Sequence, residues 1–221
     1  MSRKHARRVG NRQGNPSTRL AAAHEAAVAP KIIGGDLRGR RLAFRPGGPT
    51  RPMKDRVRET VFDLLGTAVR GATAIDLFAG TGAIGFEALS RGAARGVFAE
   101  RHFPTADCLW RSAAELGLTE RVTVVPGDVL LWSKRLPPLA DDGPWLIFVS
   151  PPWSLFAARA TELNSLMTTL ARAAPDGSRL IVESDGSLSA EQLPGMLTDR
   201  AGETAWDRRA LLPAILHQKK L

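Results

Sequence analysis

From residue 73 onward, short apolar runs alternate with longer stretches whose apolar residues recur every three or four positions, the pattern of a parallel sheet with crossover helices. Strands are predicted at 73–78, 96–100, 121–125, 145–149 and 179–183, and helices at 82–91, 103–117, 128–135 and 155–173. Two closing strands, at 200–206 and 210–217, complete a mostly parallel seven-stranded α/β sheet with helices on both faces. Upstream, Val57, Val61, Leu64 and Leu65 fall at helical spacing within 55–65, with Lys54, Arg56 and Arg58 toward the other faces. Ile32 to Leu42, with Gly34, Gly35 and Gly39, reads as a short basic β-hairpin. Residues 1–30 carry Arg3, Lys4, Arg7, Arg8, Arg12 and Arg19 among small polar residues and are expected to be disordered when free. The organisation is thus a basic arm (1–30), a basic hairpin and helix (31–66) and one catalytic-sized domain (67–221).

Charge sharpens this division. Residues 1–60 hold 15 Lys/Arg against 4 Asp/Glu, and residues 61–221 hold 16 against 18, so the net +9 belongs to the N-terminal quarter. Such a concentration suits a polyanionic partner, because neutralising phosphates releases counterions. Cys108 is the only cysteine, which excludes an intrachain disulfide and leaves no zinc spacing to consider. No apolar run approaches the ~20 residues needed to span a bilayer, and the arginine-rich start has no apolar h-region. A cytoplasmic monomer without membrane or metal partners is expected.

The first strand runs into Asp76-Leu-Phe78-Ala-Gly80-Thr-Gly82-Ala-Ile-Gly85. Its glycines have the G-x-G-x-x-G spacing that lets a strand-to-helix turn approach a ligand closely. Asp76 discriminates among ligands: a pyrophosphate at this turn would be repelled by a carboxylate, whereas the α-ammonium of S-adenosylmethionine is attracted. Glu100, at the end of the second strand, is placed to accept ribose hydroxyls. Asp128, after the third, can accept the adenine amino group, cap the helix that follows, or do both.

The fourth strand, Trp145 to Val149, leads into Ser150-Pro151-Pro152-Trp153. Strands one and four are neighbours at the topological switch point of such a sheet, so the two loops share a crevice. The prolines remove two donors, leaving the Ser150 hydroxyl and the Pro151 carbonyl to accept N–H bonds from an exocyclic amine. Trp153 can stack on an extruded base. His102 reads as a surface residue, and Trp110, Trp132 and Trp206 as packing residues.

Asp76 to Gly82 resembles motif I of class I S-adenosylmethionine-dependent methyltransferases, and Ser150 to Trp153 resembles motif IV of the amino methyltransferases, (Asp/Asn/Ser)-Pro-Pro-(Tyr/Phe/Trp). With Ile33 to Arg40, Thr50 to Phe62 and Gly85 to Gly92, the chain resembles the bacterial 16S rRNA guanine-N2 methyltransferases, RsmD-like, from about residue 31 to 217. That resemblance implies a Rossmann-like class I methyltransferase fold and S-adenosylmethionine as cofactor. It also implies methylation of a guanine of the position-966 type in the assembling 30S subunit. On this reading Asp76, Phe78, Gly80, Gly82, Glu100 and Asp128 hold the cofactor, and Ser150, Pro151, Pro152 and Trp153 hold the amine. Arg38, Arg40, Arg51, Lys54, Arg56 and Arg58 would grip RNA phosphates. Two positions depart from the family pattern: Ser150 stands where an aspartate is common, and Met53 where Arg-Pro-Thr is. The competing readings are a DNA adenine-N6 or cytosine-N4 methyltransferase and a non-catalytic RNA-binding or assembly protein on the same fold.

Overall fold

The computed structural model describes residues 29–46, 53–137, 139, 143–185, 188, 193, 206–211 and 214–221. Residues 1–28 of the arm expected over 1–30, Arg51 and most of the strand expected at 200–206 lie outside them. Helix α1 spans Asp55–Leu65 and leads through a 3-10 turn, Gly66–Val69, to strand β1, Thr73–Asp76. Then come α2 (Ala83–Ser90), β2 (Arg95–Glu100), α3 (Phe103–Glu115) and β3 (Val122–Pro126). They are followed by a 3-10 turn (Val129–Ser133), β4 (Trp145–Val149), α4 (Ser154–Ala158) and α5 (Ala160–Ala173). Strands β5 (Arg179–Ser184), β6 (Asp207–Leu211) and β7 (Ala214–Lys220) close the sheet. Its order is β3-β2-β1-β4-β5-β7-β6; β1 to β5 pair in parallel, and β7 pairs antiparallel with both β5 and β6.

Successive strand residues point to opposite faces, and the core divides accordingly. Ala74, Phe98, Leu146, Phe148, Ile181 and Leu216 pack under α1, α2 and α3. Ile75, Val97, Ile147, Val149, Leu180 and Val182 pack against α5 and the 129–133 turn. Helix α1 is seated by Val57, Val61, Phe62 and Leu65, with the Phe62 and Phe148 rings 6.2 Å apart.

All eight residues of α2 are buried, as expected of a helix apolar on every side, because the 30–43 segment covers its outer face. The Glu87 carboxylate accepts the Ile33 N–H (2.8 Å) and Arg91 Nε (2.8 Å). Ser90 Oγ donates to the Gly34 carbonyl (2.6 Å) and accepts the Leu37 N–H (2.9 Å). The close approach needs Gly35, whose φ is +74° and whose missing Cβ would stand 2.0 Å from the Ser90 carbonyl oxygen.

The hairpin expected at 31–44 is present in reduced form: Lys31 and Arg41 make an isolated antiparallel bridge, and the Ile32 N–H donates to the Arg40 carbonyl (2.9 Å), the Leu42 N–H to the Pro30 carbonyl (2.9 Å) and the Gly39 N–H to the Ile32 carbonyl (2.8 Å). It does not extend into strands, because the Ile33, Asp36 and Leu37 donors go to α2. The helix expected at 128–135 is a five-residue 3-10 turn. The helix expected at 155–173 is two helices, broken at Arg159 (φ −139°, ψ 38°). The closing hairpin lies at 207–211 and 214–220, a few residues beyond its predicted place.

Candidate active site at the switch point

Strand β1 delivers Asp76, and the Leu77 N–H is tied to the Phe148 carbonyl of β4 (3.0 Å), which couples the glycine loop to the Ser150 loop. Gly80 and Gly82 have φ of +52° and +72°, the left-handed geometry that lets the chain turn directly into α2. The Glu100 carboxylate, at the end of β2, braces that turn: it accepts the Gly80 N–H (2.8 Å) and the His102 N–H (2.7 Å). A carboxylate has about four lone-pair sites, so Glu100 retains acceptor capacity for two hydroxyls.

Asp76 is 1% exposed. Its carboxylate accepts main-chain N–H bonds from Gly85, in the first turn of α2, and from Phe78, while Oδ2 is buried without a partner. Burial, reinforced by the nearby Glu100 charge, pushes its pKa up from 3.8 to about 7, against those two hydrogen bonds. An unpartnered, buried carboxylate oxygen fits a cationic donor such as an α-ammonium.

Asp128 caps the 129–133 turn through the Leu130 N–H (3.0 Å), and its second oxygen accepts Arg159 Nη1 (3.1 Å). The capping role is therefore observed. Arg159, which the sequence reading missed, also pairs with Glu162 (2.9 Å). The one sequence signal for it was the three-residue spacing to Glu162.

Past Val149 the chain presents half-buried Ser150, buried Pro151, then exposed Pro152 and Trp153. The Pro152 carbonyl accepts the Leu155 N–H (2.8 Å) and the Trp153 carbonyl accepts that of Phe156 (3.1 Å), so α4 starts from the motif itself. Trp153 is 37% exposed, as a stacking surface must be. A second missed residue is Glu183 on β5, which the β4–β5 register places beside Ser150; burial raises its pKa, and the Ser150 hydroxyl opposes part of that rise. Asp76, Glu100, Ser150 and Glu183 have the same strand parity and sit at the carboxyl ends of β1, β2, β4 and β5. A separate apolar pocket, lined by Leu136, Pro137, Trp145 and Ala173, lies at the opposite end of β4.

Of the expected RNA contacts, Arg38, Arg40, Lys54 and Arg56 are exposed. Arg40 also donates to the Glu115 carbonyl (2.7 Å). Arg58 requires correction. It is fully buried, pairs with Asp55 (2.8 Å) and donates to the Lys31 (2.8 Å) and Met53 (3.2 Å) carbonyls, so it clamps α1 to the preceding segment. Trp110 is likewise 46% exposed on α3, whereas Trp132 is buried as expected. His102 is partly exposed, its Nδ1 against Thr105 Oγ1 (2.8 Å).

Residues 30–205 match the profile of the family described as conserved hypothetical protein 95, a span covering both loops of the crevice. The chain belongs to this family, the RsmD-like methyltransferases. A relative within it, "Putative rRNA methyltransferase YlbH" of Bacillus subtilis, is 31% identical over 163 residues, which is 73% of this chain and 81% of that protein. Ribosomal RNA small subunit methyltransferase D of Escherichia coli is 41% identical over 93 residues, 42% of this chain and 47% of the relative. Among solved structures, the "Putative methyltransferase yhhF" of Escherichia coli superposes with a TM-score of 0.65 at 28% identity, covering 87% of this chain and 99% of its own. An RNA methyltransferase of Salinibacter ruber, solved with S-adenosyl-L-homocysteine, shares the fold at 18% identity and a TM-score of 0.51, covering 76% and 92%. The fold of this RsmD-like chain is accordingly the class I methyltransferase fold expected from its sequence.

Proposed function

We propose that this chain is an S-adenosylmethionine-dependent methyltransferase that modifies the exocyclic N2 amine of a guanine in 16S rRNA while the small subunit assembles. The observation that carries the reading is the pairing of β1 with β4. It sets a buried, half-unsatisfied Asp76 across from Phe148, two residues before the half-buried Ser150 on the same sheet face, in a chain whose relatives are named as rRNA methyltransferases.

When bound, the cofactor supplies an electrophilic methyl group on a sulfonium. Asp76 would hold its ammonium and Glu100 its ribose hydroxyls; Phe78, Gly80 and Gly82 would line its path, and Asp128 its adenine. Ser150 and the Pro151 carbonyl would accept the N–H bonds of the amine, Pro152 would fix the turn and Trp153 would stack on the flipped base. Once the amine is held in line, positioning contributes most of the catalysis. Arg38, Arg40, Arg51, Lys54 and Arg56 would position rRNA phosphates, with the 1–30 arm adding non-specific affinity. The remaining elements of the proposal are a cytoplasmic monomer and no requirement for metal. Among the described residues no helix is long and apolar enough to cross a membrane.

Incorporation of tritiated methyl into 30S particles, free 16S rRNA and duplex DNA tests the reading, with mass spectrometry locating the modified base. Label in a guanine of 30S particles is expected. Label confined to DNA, or cofactor binding without turnover on any ribosomal particle, overturns it.

A further inference from the structure

Ser150 is a weak amine acceptor if its proton is free to rotate. A hydroxyl has one donor and two lone pairs, and with no partner for the proton the hydroxyl can point it at the very nitrogen it should receive. The sheet register places a candidate for that partner beside Ser150. It lies one residue beyond the Val149–Val182 pair, and Glu183 occupies the corresponding position on β5 with the same strand parity. The Ser150 hydroxyl holds the Glu183 pKa down against the larger upward push of burial, as a proton aimed at that carboxylate does. Directly across from Glu183 on β7 stands Leu216, so no cation competes from that position.

We infer that Glu183 is a positioning residue for the amine: it takes the Ser150 hydroxyl as its donor, leaves both serine lone pairs facing the amine, and receives through Ser150 the proton that the amine releases. The inference rests on the proposed role of Ser150. The nitrogen forms its bond to the methyl carbon as the carbon–sulfur bond breaks, with that electron pair remaining on sulfur. The nitrogen then carries one proton in excess. That proton moves to Ser150 Oγ while the serine's own proton moves to Glu183, giving a neutral methylated amine, an unchanged serine and a neutral carboxylic acid. A bond from a hydroxyl to a carboxylate is charge-assisted, and it makes the serine oxygen a better acceptor. The pair thus supplies from two strands the negative charge that an aspartate would supply from one. Burial pushes the Glu183 carboxyl above its ordinary range, which suits a group that must take up a proton near neutrality. Among the described residues, the other acidic groups near this end of the face are Asp76, Glu100 and, two residues beyond Glu183 on the chain, Asp185. From α1, Arg58 is committed to Asp55 and to main-chain carbonyls. Strand β7 adds Leu216 and Gln218, with Lys220 at the far end and His217 of opposite parity. Beyond Leu216, β6 brings Arg209, which pairs with Asp207 (3.5 Å).

Two measurements test this. In the cofactor-free protein, 13C titration of the Glu183 carboxyl, assigned by its loss in Glu183→Gln, should move to higher pH in Ser150→Ala; an unchanged titration overturns the contact. In single-turnover methylation of 30S particles, Glu183→Gln and Ser150→Ala should each slow transfer at least about tenfold. The double variant should be no slower than the worse single one, because the two act as a unit. Ser150→Asp combined with Glu183→Gln should recover rate relative to Glu183→Gln alone. Unchanged melting temperature and S-adenosylhomocysteine affinity separate these effects from misfolding. Rates for Glu183→Gln within twofold of the parent, or losses that multiply, overturn the inference. A parent protein that methylates no ribosomal substrate sinks the functional reading instead, and the titration still reads the pair alone.

Discussion

Replacing Asp76 with asparagine separates the stability of the fold from its chemistry. A buried carboxyl whose pKa rises from 3.8 to about 7 on folding binds protons more tightly in the native state. The sign follows from linkage: this group's contribution is most favourable below pH 4 and is lost as the pH rises toward 7. At 1.36 kcal/mol per unit, the folded protein forfeits roughly 4 kcal/mol across the whole window and about 2.5 kcal/mol of it between pH 5 and 8. The side-chain amide of the Asp76→Asn variant cannot ionise and can still accept a main-chain N–H. The variant's stability relative to the parent should therefore improve by about 2.5 kcal/mol from pH 5 to pH 8. His217 tilts the curve in the opposite sense, because burial lowers its pKa, but it is present in both proteins and cancels from the comparison. Urea unfolding of both proteins, without cofactor, at three pH values measures the difference. Calorimetry should show the converse: Asp76→Asn loses cofactor affinity, and the parent releases a proton on binding at pH 6 as Asp76 ionises against the ammonium. A stability difference flat from pH 5 to 8 would refute the claim that Asp76 is held protonated by burial.

Four further outcomes follow from particular contacts. Arg58→Ala should destabilise the protein by about 3 kcal/mol, since it strands two carbonyls and empties a buried site; weakened RNA binding at unchanged stability would contradict its structural role. Lys54→Ala and Arg56→Ala should leave stability within about 0.5 kcal/mol and each lower the salt dependence of 30S binding by roughly one ion; an unchanged slope would remove them from the interface. Gly35→Ala should cost at least about 2 kcal/mol through its left-handed φ and its collision with the Ser90 carbonyl, and a neutral denaturation midpoint would show that the 30–43 segment does not hold α2 this way. Trp153→Ala should reduce kcat/KM on 30S particles roughly 5- to 150-fold, the equivalent of about 1 to 3 kcal/mol of stacking, with cofactor affinity intact; equal losses in both would place the ring in the fold and not on the base.

What could be read from the sequence and what could not divides along physical lines. The strand positions, the switch-point geometry and the Asp76 and Ser150 loops follow from local periodicity and from glycine and proline chemistry, which act within a few residues. Arg58 and Glu183 depend on partners far along the chain. Arg58 looks like any solvated arginine on an amphipathic helix; besides Asp55 and the Met53 carbonyl nearby, it reaches the Lys31 carbonyl, 27 residues away, which the local pattern does not foretell. Glu183 closes a strand as a charged residue commonly does. Its meaning comes from the β4–β5 register, which puts it next to a serine 33 positions earlier, and register between parallel strands is set by the whole crossover and not by either strand. The hairpin at 31–44 is cut short for a related reason. Its arms pair at Ile32 with Arg40 and at Leu42 with Pro30, but the Ile33 and Leu37 donors are captured by Glu87 and Ser90 of α2, more than 50 residues on. In each case a polar group was paired across a distance that periodicity does not encode. The same rule predicts where the remaining determinants of the substrate lie. They are polar side chains at strand ends whose local sequence is ordinary and whose partners, as at Glu183, lie on a neighbouring strand.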